Sequence, residues 1–144
     1  NLAGGFIILF SKPFTVGDYV QIGSSEGSVE AITILYTRLL TADNKAVYIP
    51  NGQVSNSSIT NYTQEKTRRL DLVFSISYKD DYTKAKKILA DIVDKNELAL
   101  KDPEPLIRVT EQASNSINIA VRIWVKSENY WSLNFDMLES VKTK

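Results

Sequence analysis

The sequence predicts an α+β chain in which a short apolar helix precedes a small β barrel and then a β-α-β-β-α unit. Three observations predict this. Residues 2–10 form an uninterrupted apolar run that contains two glycines. Residues 19–62 hold short β-type runs separated by turn residues, with no helical pattern between them. Residues 64–144 alternate between strand and helix periodicity, and 144 residues suffice for one ordinary domain or two small ones.

The first element is the apolar run, which predicts a helix ending near Ser11 because Pro13 disfavours helical geometry in the residue before it. The run is too short to cross a bilayer, which takes roughly 20 apolar residues. It lacks the basic region and small-residue cleavage site of a signal peptide. Since the chain starts at Asn1 and ends at Lys144 within a helical pattern, we expect both ends to be cuts in a longer protein.

Five short strands follow and predict the barrel. The first four are expected at Tyr19–Ile22, about 28–35, 37–41 and 46–49, with a hairpin turn at residues 42–45. Pro50-Asn51-Gly52 ends the fourth strand, and residues 57–62 supply a fifth. Short strands at close spacing are typical of a small barrel, which at roughly 50 residues is marginal without neighbours.

The last part alternates strands and helices. Residues 70–76 and 117–125 have the period-two pattern of half-buried strands, and residues 106–110 form a strand between them. Asp80 or Asp81 caps a helix with apolar residues at 85, 88, 89, 92 and 93. A final helix begins near Tyr130 and carries Trp131, Phe135, Leu138 and Val141. The order β-α-β-β-α is ferredoxin-like without its last strand, which we expect beyond Lys144.

Composition argues against most catalytic chemistry. The chain has no cysteine and no histidine, so it offers neither a thiolate zinc site nor an imidazole base. Asp80-Asp81 is explained by a helix cap and Asp43 by a turn. No Gly-rich phosphate loop is present, since Gly4-Gly5 lies inside the apolar run. We therefore predict no enzyme, no metal and no cofactor.

A nucleic-acid partner is also disfavoured. The 17 basic residues are balanced by 17 acidic ones, whereas a dedicated binder shows a basic excess. Lys66, Arg68 and Arg69 cluster near Tyr62, but they are interpreted as the start of a solvated strand. Trp124 lies on the face opposite the core series, where a packing or subunit contact is favoured over a base-stacking platform.

Three stretches together resemble the MscS family, the small-conductance mechanosensitive channels of bacterial membranes. The first is NLAGG running on to KPFTVGDYV, within residues 1–20. The second is EGSV at 26–29, followed by Ile34, Thr37, Arg38 and Leu39. The third is TADN at 41–44, then VYIPNG at 47–52 and ITNY at 59–62. The spacing of P-F-x-x-G-D, E-G-x-V and I-P-N-G is specific, and the resemblance covers essentially the whole chain.

The resemblance implies an organisation and a function. Residues 1–11 would be the second half of the pore-lining helix, residues 12–63 an Sm-like β domain, and residues 64–144 the truncated α/β domain. Seven copies would form a cage on the cytoplasmic side of the bacterial inner membrane, with portals for permeating ions and small solutes. The parent would reach the lipid bilayer through helices upstream of Asn1 and would open under tension in hypo-osmotic shock. A soluble, oligomeric Sm-like module that binds RNA or protein is the alternative.

The resemblance also implies site residues. Asn1, Leu2, Gly4 and Gly5 would belong to the gating helix, whose glycines permit close packing and easy bending. Relief of crowding between subunits explains the glycines equally well. Lys12, Pro13 and Phe14 would form the helix exit. The helix end, at Asn1, would touch Asn51 and Gly52 and so help to set how long the channel stays open; a simple turn after Pro50 is the competing interpretation.

Overall fold

The structure, a computed structural model, describes residues 2–11 and 13–142, with every side chain in those ranges except those of residues 8–10. The chain divides into two compact units, the first ending at Glu65 and the second beginning at Lys66. The α+β class is confirmed. Among the described residues, no helix has both the length and the hydropathy that crossing a membrane requires.

The first unit is an antiparallel five-stranded sheet with two helices. Helix α1 spans Leu2–Ser11, and the short helix α2 spans Asn51–Ser55. The strands are β1 (Tyr19–Ile22), β2 (Ser25–Ile32), β3 (Tyr36–Leu40), β4 (Ala46–Pro50) and β5 (Ile59–Asn61). Their order in the sheet is β4-β3-β2-β1-β5. Alternate residues of the strands point to one face of the sheet, and this face is buried. Together with residues from outside the strands they form the core, which consists of Phe14, Val20, Ile22, Val29, Leu39, Ile49 and Val54.

Three features of this unit differ from expectation. The turn between β1 and β2 is tighter, because Ile22 pairs directly with Ser25 and Gly23 adopts φ +59°. The fourth strand ends at Pro50 as predicted, but the residues that follow form helix α2, which the sequence did not predict. In the part of the chain that the structure describes, no ladder joins β4 to β5, so the expected barrel is an open sheet.

The second unit has the predicted order β-α-β-β-α, which is confirmed. It comprises β6 (Thr67–Ile76), α3 (Tyr82–Lys95), β7 (Leu106–Gln112), β8 (Ile117–Lys126) and α4 (Tyr130–Lys142), with the antiparallel sheet order β6-β8-β7. Asp81, not Asp80, caps α3 by accepting from the amides of Thr83 and Lys84. Strand β7 runs past the predicted end at Thr110 because a bulge carries it to Gln112.

The core of the second unit lies between the sheet and the two helices. Its fully buried side chains include Leu70, Ile119, Val121, Ile123, Val125, Leu133 and Met137. Helix α4 buries Leu133 and Met137, whereas Trp131, Phe135 and Leu138 are exposed. The apolar residues singled out on this helix from the sequence therefore lie mostly on its outer face.

Candidate functional site: the seat of helix α1

Helix α1 approaches the main chain of its own unit through its two glycines, both of which are buried. A β-carbon at Gly4 would stand 2.5 Å from the carbonyl of Asn51 and from the amide nitrogen of Gly52. A β-carbon at Gly5 would overlap the carbonyl oxygen of Ile34. Glycine is therefore required at both positions, because the helix packs closely on α2 and on the loop before β3. We call this surface, formed by the main chain of Ile34, Asn51 and Gly52, the seat.

The face of α1 turned away from the seat is apolar and exposed. Leu2, Phe6 and Ile7 are 58, 50 and 54% exposed. These three side chains are exposed, whereas Gly4 and Gly5 of the same helix are buried against the seat. The helix is therefore anchored by its small residues and presents its large ones outward.

Asn51 organises the seat from beneath. It is fully buried, and its Nδ2 atom donates to the carbonyl oxygens of Thr33, at 2.6 Å, and Ile34, at 3.0 Å. Its Oδ1 atom accepts from the Thr37 hydroxyl at 2.8 Å, and Thr37 is also fully buried. Its backbone amide donates to the carbonyl of Leu35 at 3.0 Å. One side chain therefore fixes the loop against which Gly5 packs, while the main chain of the same residue faces Gly4.

The contact of the helix with Asn51 and Gly52 is steric and involves main-chain atoms. Among the described residues, the side chain of Asn51 bonds to Thr33, Ile34 and Thr37 of the β unit. Asn1, the residue expected to touch Asn51, lies outside the described residues, so this contact stays a prediction; among the described residues, Gly4 lies close to the main chain of Asn51 and Gly52. The role of this contact in gating stays a prediction.

The helix exit is anchored by one apolar side chain. Phe14 is 2% exposed and belongs to the core of the first unit, and Pro13 beside it is half-buried. Lys12, the basic residue expected at the exit, lies outside the described residues. Next comes a tight turn in which Gly17 has φ +99°, a left-handed conformation that favours glycine.

Asp18 ends this turn and accepts several hydrogen bonds. It accepts from the Thr15 amide at 3.0 Å, from Asn61 Nδ2 at 2.9 Å and from the Thr63 hydroxyl at 3.3 Å. Burial alone would raise the pKa of Asp18, but the hydrogen bonds from Asn61, Thr15 and Thr63 favour the charged form and lower the pKa below its ordinary value of 3.8. The carboxylate is therefore ionised and structural at neutral pH.

Two charged groups on the sheet and its turns have local partners. Arg38 pairs with Glu30 at 3.1 Å and donates to the Tyr48 hydroxyl at 3.1 Å, and the contact with Tyr48 is the main cause of its raised pKa. Asp43 accepts from the Thr41 hydroxyl at 2.6 Å, the leading cause of its lowered pKa, and this places it in the turn as predicted.

The basic cluster of the second unit is engaged in local contacts. Arg69 makes a bidentate interaction with the Asp71 carboxylate, at 2.6 and 2.8 Å. The guanidinium of Arg68 lies 3.6 Å from the ring centroid of Tyr130. Trp124 is half-buried opposite Arg69 in the sheet register. Within the described ranges, no group of carboxylates is placed to hold a metal ion.

Sequence reasoning missed two parts of the site. The Ile34 carbonyl is a main-chain group, so no residue type marks it, although the glycine pair signals that some backbone approaches closely. Asp18 and Asn61 were quoted within the family motifs, but nothing in their spacing shows that they meet.

Comparison with known proteins assigns the class and then the family. Residues 1–64 match the family model described as "Mechanosensitive ion channel, beta-domain", and residues 70–144 match "Mechanosensitive ion channel MscS, C-terminal". The two units in this order are thus those of mechanosensitive ion channels. The chain belongs to the MscS family.

Individual relatives agree. The small-conductance mechanosensitive channel of Edwardsiella ictaluri is 35% identical over 142 residues, which is 99% of this chain and 50% of that protein. The closed-state crystal structure of Helicobacter pylori MscS matches with a TM-score of 0.92 and 31% identity, covering 99% of this chain and 56% of that one. Arabidopsis thaliana MSL1, at 23% identity, 98% of this chain, 53% of that one and a TM-score of 0.77, shares the fold. The chain spans about half the length of the curated relatives it matches.

Proposed function

We propose that this chain is the cytoplasmic portion of a channel that opens under membrane tension and passes ions and small solutes in hypo-osmotic shock. In this proposal residues 1–11 are the second half of the pore-lining helix, residues 12–63 the β domain and residues 64–144 the α/β domain. Seven copies assemble beneath a bacterial inner membrane, which the parent contacts through segments upstream of Asn1. Membership of the MscS family supports this over a soluble RNA- or protein-binding module and over an enzyme.

The seat of helix α1 is the observation that carries the proposal. A helix packed through glycines on main-chain atoms gains dispersion contact without interlocking side chains. Such a helix can leave and return as a rigid element, which a two-state gate requires. Its exposed apolar face, with Leu2, Phe6 and Ile7, suits an interface with lipid or with other subunits.

The tension response is tested on membrane patches that carry the full-length parent in cells without mechanosensitive channels of their own. Suction steps are expected to evoke discrete conductance events that control membranes lack. A parent shown to be inserted in the membrane, yet silent up to patch rupture, would contradict the proposal.

The gating role of the seat has its own test. The match to a closed channel includes α1, which supports the view that the helix is seated when the pore is shut. Gly4→Ala would push the helix off Asn51 and Gly52, so the current at constant tension should decay more slowly than in the wild type. Ile7→Val, which changes one methyl group at an exposed position of the same helix, is the control and should change the decay less. Equal decay in Gly4→Ala and wild type would remove the seat from the gating mechanism.

A further inference from the structure

Asn61 lies at the point in the first unit where the segment that follows α1 and the segment that leaves the sheet come close together. Its Nδ2 atom donates to the Pro13 carbonyl at 3.2 Å and to Asp18 at 2.9 Å. Its Oδ1 atom accepts from the amides of Thr63 and Gln64 at 3.0 and 2.9 Å. A single half-buried amide thus binds the segment that follows α1 and the segment that leads to Lys66, where the second unit begins.

Neighbouring bonds close the same junction. Asp18 accepts from the Thr63 hydroxyl at 3.3 Å, and that hydroxyl oxygen accepts from the Tyr19 amide at 3.0 Å. The Tyr62 amide donates to the Tyr19 carbonyl at 2.9 Å. The bonds form a continuous polar network, in which the loss of one member weakens the others.

The geometry points to a mechanical clasp: Asn61 and Asp18 join the incoming and outgoing segments of the β unit, so that part of a pull on helix α1 passes directly across this junction to the segment before the second unit, in parallel with the path through the buried Phe14 side chain and the sheet. A pull that separates Pro13 from Gln64 must break the bonds of Asn61 to one of them. Without these bonds, the force enters the unit through the buried Phe14 side chain and through the backbone hydrogen bonds that join Gly17 and Asp18 to Val29 of β2.

The clasp would serve a tension-gated protein by stiffening the connection between helix α1 and the segment that leaves the β unit. This service rests on the proposed function, whereas the clasp itself is a property of the isolated chain. The absence of cysteine from the sequence makes it directly measurable, because two introduced cysteines define the points of attachment for single-molecule pulling.

Two attachment pairs separate a clasp from a general contribution to stability. Ser11→Cys with Lys66→Cys pulls across Asn61. Ser24→Cys with Lys45→Cys pulls on the β1–β2 and β3–β4 turns, which lie at the opposite end of the antiparallel sheet. In the first geometry, Asn61→Ala should lower the rupture force about twofold or more. In the second geometry, the force should stay close to that of the wild type.

Two further variants complete the experiment. Asn61→Asp keeps the acceptor for Thr63 and Gln64, loses the donor for Pro13 and Asp18, and places a second carboxylate against that of Asp18, so the rupture force in the first geometry should fall at least as far as in Asn61→Ala. Asn56→Ala replaces an exposed asparagine that lies outside the network and should leave both geometries unchanged. A rupture force that falls in parallel in both geometries, or in neither, would overturn the clasp and leave the proposed function standing. A parent channel that stays silent under suction would contradict the proposed function and leave the clasp standing.

Discussion

The Nδ2 atom of Asn51 donates to the carbonyl oxygen of Ile34 at 3.0 Å, and this carbonyl is the group against which Gly5 packs. The seat for α1 is therefore held in shape by the β unit itself. Asn51 is fully buried and bonded at both ends of its amide, so the position of the Ile34 carbonyl is fixed by hydrogen bonds from within the β unit as well as by contact with the helix.

Gly5→Ala should detach α1 from the seat. The new methyl group would overlap the Ile34 carbonyl, and this main-chain group cannot move aside without breaking its bond to Asn51. Alanine favours the helix itself by about 1 kcal/mol, so the helix should persist while its docking is lost. Amide hydrogen exchange across residues 2–11 should accelerate, while exchange in β1–β4 stays unchanged.

A conservative exchange on the exposed side provides the control for this prediction. Ile7→Val changes a side chain that is 54% exposed and should leave the exchange rates of α1 as they are. If Gly5→Ala protects the helix as well as the wild type does, the main-chain contact is not what holds it.

Asn51→Ala should destabilise the first unit by about 1–3 kcal/mol, because it leaves the buried Thr37 hydroxyl without its acceptor and the Ile34 carbonyl without a donor. Urea denaturation followed by the NMR amide signals of residues 19–61 measures this. Asn56→Ala, at an exposed site, should remain within about 0.5 kcal/mol of the wild type. Equal midpoints for the two variants would contradict the structural role given to Asn51.

The strand and helix pattern of this chain could be predicted because burial imposes periodicity on residue type. Leu70, Leu72, Phe74 and Ile76 face the core as their alternation indicates, and Leu89, Ile92 and Val93 do so at helical spacing. Helix α2 could not be predicted, because Asn51 and Gly52 have weak helix propensity and Pro50 offers no side-chain cap. Its helical turn coincides with the burial of Asn51 and Val54, which is a tertiary effect.

The candidate site was predictable only in part for the same reason. The glycine pair indicated close packing, and the I-P-N-G stretch marked one wall of the seat. The other wall is a carbonyl of Ile34, and any residue type could provide it. Asn51 was expected after the end of a strand, as a contact for the helix or as part of a simple turn, whereas its burial at the centre of four hydrogen bonds follows from long-range contacts.

Acid should weaken the first unit through Asp18. Its pKa in the folded chain lies below the ordinary value of 3.8, so the carboxylate binds protons less readily when folded than when unfolded. The stabilisation is therefore complete above the unfolded pKa and is lost as the pH falls through the folded one. Asp18→Asn should be less stable than the wild type at pH 6, and the gap should narrow below pH 4. Urea midpoints of both proteins across this range would show it; a gap independent of pH would assign the effect to packing.

In the second unit, the guanidinium of Arg68 should stabilise the start of α4 through the Tyr130 ring, which lies 3.6 Å away. A cation held over an aromatic face contributes about 0.5–2 kcal/mol. Because Arg68 has other contacts as well, a double-mutant cycle with Arg68→Met and Tyr130→Leu isolates the pair. Trp124 and Trp131 both lie in this unit, so urea unfolding by tryptophan fluorescence reports on it directly. Tyr130→Phe keeps the aromatic face and should stay near the wild type, whereas a coupling energy of zero would mean that the ring acts on α4 only through its packing.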